Sequence, residues 1–160
     1  MTDSFAVEGV SLTELRQIDD ERGSVLHMLR NDGSTPVQFG ECYFSEILPG
    51  AIKAWKRHRA QTQNLAVPVG RVLLVIYDDR PSSPSRDKVQ VLELGRPDAY
   101  VRVRIPPGLW YGFACVGSVP ALLANCADVP HDPSESESRP KDDPSIPYSW
   151  ASGAGWAGSQ

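Results

Sequence analysis

Apolar and polar residues alternate with a period of two through most of this chain, in short runs separated by turn formers. Residues 10–16 alternate as a strand, residues 19–23 turn, and residues 24–30 form the next strand. Residues 31–34 are a turn cluster, and residues 38–48 make a longer strand carrying Phe39, Tyr43 and Phe44. Residues 71–77 are continuously apolar, short enough for a buried strand and compatible with sheet burial across an interface. After a loop over residues 78–85, strands follow over 88–94 and 100–105, the second placing Arg102 and Arg104 on one face with Tyr100. Residues 110–116 and 119–126 give two more. Residues 128–147 are polar and rich in proline, with one short helical piece around 134–138, while residues 1–9 read as a mobile start and 151–160 as a disordered tail. No stretch of helical period and no internal repeat stands out. About ten short strands with punctuated turns predict an all-β sandwich or jelly roll, with residues 1–150 as a single domain.

One stretch departs from the pattern. Between the turn glycines Gly50 and Gly70, the strand formers Ile52, Trp55, Leu65 and Val67 are mixed with Lys56, Arg57, His58, Arg59, Gln61, Gln63 and Asn64. At period two Lys56, His58 and Ala60 share one face, with Arg57 and Arg59 on the other. A half-polar strand with Lys and His on one side is suited to lining a cavity rather than filling a core.

Composition narrows the class. A net charge of −4 argues against nucleic acid as a partner, although single cations in a pocket still suit phosphate. No apolar run is long enough to cross a bilayer and no signal peptide is read, so a soluble, cytoplasmic protein is expected. Cys42, Cys115 and Cys126 lack metal-type spacing, and they are expected to be reduced and buried.

The spacing of the half-polar stretch resembles the first cupin motif, in which two His and a Glu follow a glycine, with Lys56, His58 and Gln63 at those positions. Pro106-Pro107-Gly108-Leu109-Trp110-Tyr111 resembles the second, with Tyr111 where a His would stand. His58 is then the only good metal ligand of the set, and one imidazole cannot hold an ion by itself, so the expectation is a metal-free cupin, or double-stranded β-helix jelly roll.

Within the cupins the chain resembles the dTDP-4-dehydrorhamnose 3,5-epimerase family over nearly its whole length. The matching pieces are Asp20-Glu21-Arg22-Gly23, Phe44-Ser45 before Pro49-Gly50, Lys53-Ala54-Trp55-Lys56, Asp79-Arg80-Pro81-Ser82-Ser83-Pro84, Ile105 to Gly108 with Tyr111-Gly112-Phe113, and Asp142-Asp143-Pro144 before Trp150. The resemblance implies epimerisation at C3, C5 or both of a 4-keto nucleotide sugar in carbohydrate biosynthesis, without metal or organic cofactor, and a homodimer. Such chemistry needs a base beside the ketone, an acid on the opposite face, a donor for the enolate oxygen and cations for the pyrophosphate. In that family a His in an Arg-Gly-Leu-His run is the base, an Asp near the C-terminus backs it, and a Tyr in the penultimate strand region is the acid. Here Lys56 holds the base position, Asp143 matches the supporting Asp, and the segment 126–133 has no Tyr.

These departures leave His58 as the remaining base or shuttle, since its ordinary pKa lies near the working pH. Lys56 and Tyr111 are expected as enolate-side or opposite-face groups, Arg22, Lys53 and Arg80 as phosphate binders, and Gln63, Asn64 and His131 as substrate contacts, with His131 a candidate replacement for the lost Tyr. The structural alternatives are a satisfied imidazole at His58, a ring filling the barrel at Tyr111, and an Asp143 that caps a turn. His27 reads as structural, and Arg102 and Arg104 as a solvent face or sheet ion pairs. Two other functions stay open. The nucleotide-sugar 3,4-ketoisomerases resemble the chain at His58 and Gln63, and a non-catalytic cupin would bind a sugar nucleotide without turnover.

Overall fold

The architecture comes from a computed structural model that describes residues 6–33 and 37–151. Its strands are β1 (Ser11–Glu14), β2 (Gln17–Asp20), β3 (Gly23–Leu26), β4 (Glu41–Ile47), β5 (Ile52–His58), β6 (Gln63–Val69), β7 (Arg71–Tyr77), β8 (Val89–Gly95), β9 (Val101–Ile105), β10 (Trp110–Val116), β11 (Ala121–Ala127) and β12 (Ser136–Ser138). One five-stranded sheet runs β1-β9-β6-β11-β4, a second runs β12-β5-β10-β7-β8, and β2 and β3 form a separate hairpin. Every strand pairing among the described residues is antiparallel, the jelly-roll arrangement that the alternation predicts.

The period of two decides what lies between the sheets. Leu65 and Val67 of β6, Leu74 and Ile76 of β7, Phe113 and Cys115 of β10, and Leu123 of β11 are buried together there. Residues beyond the strands close a second cluster on the outer face of the β5–β10–β7 sheet. Trp55, Trp110 and Val75 are covered by Ile146 and Trp150 of the C-terminal segment. Trp55 stacks on Trp150 at 5.2 Å between centroids, and its Nε1–H donates to the Lys141 carbonyl at 3.1 Å.

Several sequence expectations need correction. The start of the chain is packed from residue 6, with Val7 buried and its N–H donating to Gln90 Oε1 at 3.0 Å; residues 1–5 lie outside the described residues. The strand expected over 10–16 ends at Glu14, and that expected over 24–30 ends at Leu26. The helical piece expected at 134–138 is a 3-10 turn, Pro133–Glu135, capped by Asp132, followed by β12. β12 is extended because Ser136, Glu137 and Ser138 pair with His58, Arg57 and Lys56 of β5. Cys42 is exposed rather than buried because β4 is an edge strand, and its Sγ lies 3.3 Å from that of Cys126 across the pair. The tail expected at 151–160 lies outside the described residues except for Ala151. No helix among the described residues is long and apolar enough to cross a membrane.

Candidate active site

A cavity of about 300 Å³ opens between the sheets where edge strand β4 faces β5. Leu65, Phe113 and Leu123 give it apolar walls; Tyr43, Lys53, Lys56, Tyr111 and Asn125 supply polar groups. Lys53 and Lys56, three residues apart, would face opposite sides of a regular strand. Here Lys56 pairs with Tyr111 and Lys53 with Phe113, so β5 carries one residue more than β10 across this step. That bulge turns both lysines to the same side. Gly112 sits opposite it, and a Cβ there would lie 2.5 Å from the Ala54 Cβ and 3.0 Å from the Trp150 ring.

The end of β5 is fixed by the second motif. Gly108, at φ +91°, donates its N–H to the His58 carbonyl at 2.8 Å. His58 is buried, and its Nε2 lies 3.0 Å from the Tyr111 hydroxyl, while its Nδ1 bonds the Glu135 carboxylate. Glu135 is held in turn by the backbone N–H groups of Ala60 and Gln61, at 3.1 and 3.2 Å. The ion pairs of Arg57 and Arg59 with Glu137 tie β12 to β5, Asp79 holds Arg57 from the loop after β7, and the Arg59 N–H fixes the Glu135 carbonyl at 2.8 Å.

The charges define a resting state. Burial lowers the His58 pKa, with Lys56 and His131 adding to the effect; Glu135 opposes it without prevailing. Burial would raise the Glu135 pKa, but the His58 and backbone hydrogen bonds outweigh it and hold the carboxylate low. His58 is therefore neutral beside an ionised Glu135, with its proton on Nδ1, and Nε2 accepts from the Tyr111 O–H. Burial drives the Tyr111 phenol far above its ordinary value, so Tyr111 does not ionise by itself. The Lys56 ammonium makes no hydrogen bond or ion pair with the described residues, whereas Lys53 donates to Ser45 Oγ at 2.8 Å and to the Glu46 carbonyl at 2.7 Å.

The structure thus brings Lys53, Lys56 and Tyr111 to one cavity with His58 directly behind Tyr111. Gln63 also faces inward, held between Gln61 and Asn125. The other expected site residues lie elsewhere. Asn64 is on the opposite face of β6, its amide donating to the Cys126 carbonyl at 3.0 Å. Asp143 bonds neither Lys56 nor His58. It accepts from Ser145 and lines a separate hollow with Pro144, Tyr148 and Trp150. Arg80 is held by Asp78 and Ser83, Arg22 is exposed on the β2–β3 hairpin with Asp20, and His131 is exposed ahead of the 3-10 turn. Among the described residues no group of three or more His, Cys, Asp or Glu is placed to hold a metal ion.

Three site residues escaped the sequence reading. Glu135 was hidden by reading its segment as helical, although the Ser-Glu-Ser-Glu-Ser alternation from 134 to 138 carries the period of a strand. Asn125 is an amide on the buried face of β11 that also carries Leu123, and Tyr43 shares the inward face of β4 with Ser45 and Ile47.

A family model for dTDP-4-dehydrorhamnose 3,5-epimerase matches residues 4–159. A solved structure of a dTDP sugar isomerase from Desulfovibrio desulfuricans G20 is 56% identical, covering 96% of this chain and 97% of that one, with a TM-score of 0.91. The probable low-salt glycan biosynthesis epimerase Agl13 of Haloferax volcanii is 32% identical over 74% of this chain and 77% of its own length. The spore coat polysaccharide biosynthesis protein SpsL of Bacillus subtilis is 27% identical over 90% of this chain and 96% of its own.

Proposed function

The chain belongs to the dTDP-4-dehydrorhamnose 3,5-epimerase family, and on that premise we propose a metal-free epimerase that inverts C3, C5 or both of a 4-keto nucleotide sugar. The observation that carries the reading is the Tyr111–His58–Glu135 chain ending in the cavity beside Lys56. The identity with a dTDP sugar isomerase supports dTDP as the carrier.

Tyr111 is the group that takes the proton. Its hydrogen is directed at His58 Nε2, so an oxygen lone pair is left for the substrate C–H next to the ketone. As that C–H breaks, the proton joins the Tyr111 oxygen while the Tyr111 hydrogen passes to Nε2. The new positive charge is an imidazolium beside the Glu135 carboxylate, and no free phenolate has to be stabilised in the buried site. The electron pair left on carbon delocalises onto the ketone oxygen, where the Lys56 ammonium stabilises the enolate. Lys53, at the β4 side of the cavity, is read as the phosphate contact because its partners there, Ser45 Oγ and the Glu46 carbonyl, are neutral. Arg22 and Arg80 have no part in this reading, because Asp20 and Asp78 hold their guanidinium groups.

We further propose a cytoplasmic homodimer. All three cysteines are free thiols, which suits a reducing compartment. Phe39, Phe44 and Val25 are 68, 65 and 60% exposed, apolar surface that a second copy would cover. Incubation with a dTDP-linked 4-keto-6-deoxyhexose in deuterated water tests the enzymatic reading. Deuterium at C3 or C5 of an inverted product supports it, a relocated carbonyl favours ketoisomerisation, and binding without exchange favours a non-catalytic protein.

A further inference from the structure

Epimerisation needs a second proton donor on the face opposite the base, and the wall facing Tyr111 carries another phenol. Tyr111 belongs to β10 of one sheet; Tyr43 belongs to edge strand β4 of the other, and both line the same cavity. Their hydrogen bonds run in opposite directions. The Asn125 Oδ1 accepts from the Asn64 backbone N–H at 3.2 Å, and since that N–H can only donate, the other amide atom of Asn125 is its NH₂. This NH₂ donates to the Tyr43 oxygen at 2.9 Å and to Gln63 Oε1. The Gln63 amide donates to Gln61 Oε1 at 2.6 Å, and the Gln61 amide donates to the Val129 carbonyl at 2.6 Å. Every donor in the row is directed by the next acceptor, so Tyr43 is an acceptor toward the protein and its own hydrogen is left for the cavity.

We infer that Tyr43 is the acid that protonates the enolate carbon from the face opposite Tyr111. The step rests on the proposed epimerase reading and balances with it. The Tyr43 O–H breaks as the new C–H forms, the enolate electron pair returns to carbon as the ketone re-forms, and the Tyr43 oxygen is reprotonated from solvent. Tyr43 is 40% exposed, which gives water that access. Burial raises its pKa, as does Glu41, with the Asn125 hydrogen bond working the other way, so it holds its proton until the enolate takes it. The role is the one left vacant where segment 126–133 lacks a tyrosine, filled here from the neighbouring strand β4.

The test is Tyr43→Phe, which removes one partly exposed hydroxyl, assayed in deuterated water with a dTDP-linked 4-keto-6-deoxyhexose. Formation of inverted product is expected to fall by about 10²-fold or more, while deuterium still enters the same carbon of recovered substrate within a few-fold of the wild-type rate. Thermal midpoint and dTDP affinity should be unchanged. Wild-type inversion by Tyr43→Phe overturns the assignment, and so does an equal loss of exchange and inversion, since that places Tyr43 on the deprotonation side. Absence of both exchange and inversion in the wild-type protein overturns the epimerase reading itself, and the acid role with it.

Discussion

The two walls of the cavity use the same side chain to opposite ends. On the β5–β10 wall the phenol of Tyr111 faces an imidazole backed by a carboxylate, the chain proposed above to draw protons out of the cavity. On the β4–β11 wall the phenol of Tyr43 faces a row of neutral amides that donate toward it. The contrast teaches that a tyrosine's role is set by what its oxygen is bonded to. Placement in the pocket is shared by both and decides nothing.

The strongest way to break the contrast is to remove the proton-drawing phenol. Tyr111→Phe should lower both deuterium exchange and inversion by about 10³-fold, within the range for a positioned proton-transfer group, whereas Tyr43→Phe separates the two. If Tyr111→Phe still exchanges at the wild-type rate, the walls are not chemically distinct. Lys56→Met removes the cation at the enolate and should cost about 10²-fold or more in kcat, with a smaller change in dTDP affinity. Equal loss of kcat and affinity would move Lys56 to substrate binding.

Glu135→Gln sharpens the comparison through pH. In the wild-type protein activity should fall on the acid side with an apparent pKa below the ordinary His value of about 6.5, because an imidazolium cannot accept the Tyr111 proton. Glu135 raises the His58 pKa, so its neutralisation should displace that limb to still lower pH and reduce the rate by about 10²-fold. The same sign holds for stability. Since the folded-state pKa is depressed, the unfolded chain binds the extra proton, and His58 contributes a loss of stability as pH drops below about 6.5. An acid limb unmoved in Glu135→Gln would remove His58 from the proton path. The smallest effect belongs to the far end of the amide row. Gln61→Leu strands the Val129 carbonyl and the Gln63 amide, costing about 1–3 kcal/mol in a denaturant titration. Its effect on inversion should stay below about tenfold, with exchange untouched.

Much of the site strand was legible. Period two alone set Lys56 and His58 on one face and Arg57 on the other, and the structure agrees, with Arg57 lying over the Trp110 ring on the outer side. Lys53 was expected to bind phosphate, but nothing local announces the bulge that turns it inward, because a bulge is a mismatch between two strands and is invisible in either. Asp143 was expected beside the base from its place before Pro144, yet that segment is drawn to the outer face by Trp150 stacking on Trp55. Glu135 takes the position because β12 pairs with β5, a contact between residues 77 apart in the chain.

Alternation and turn residues by themselves determined the all-β class, most of the long strands, the buried faces and the half-polar stretch, because side-chain direction along an extended backbone depends only on parity. Which strands lie side by side, and hence which acceptor each phenol finds, was decided only when the sheets closed on one another. Register between distant strands is a property of pairs, and the hydrogen-bond direction at Tyr43 and Tyr111 follows from that register.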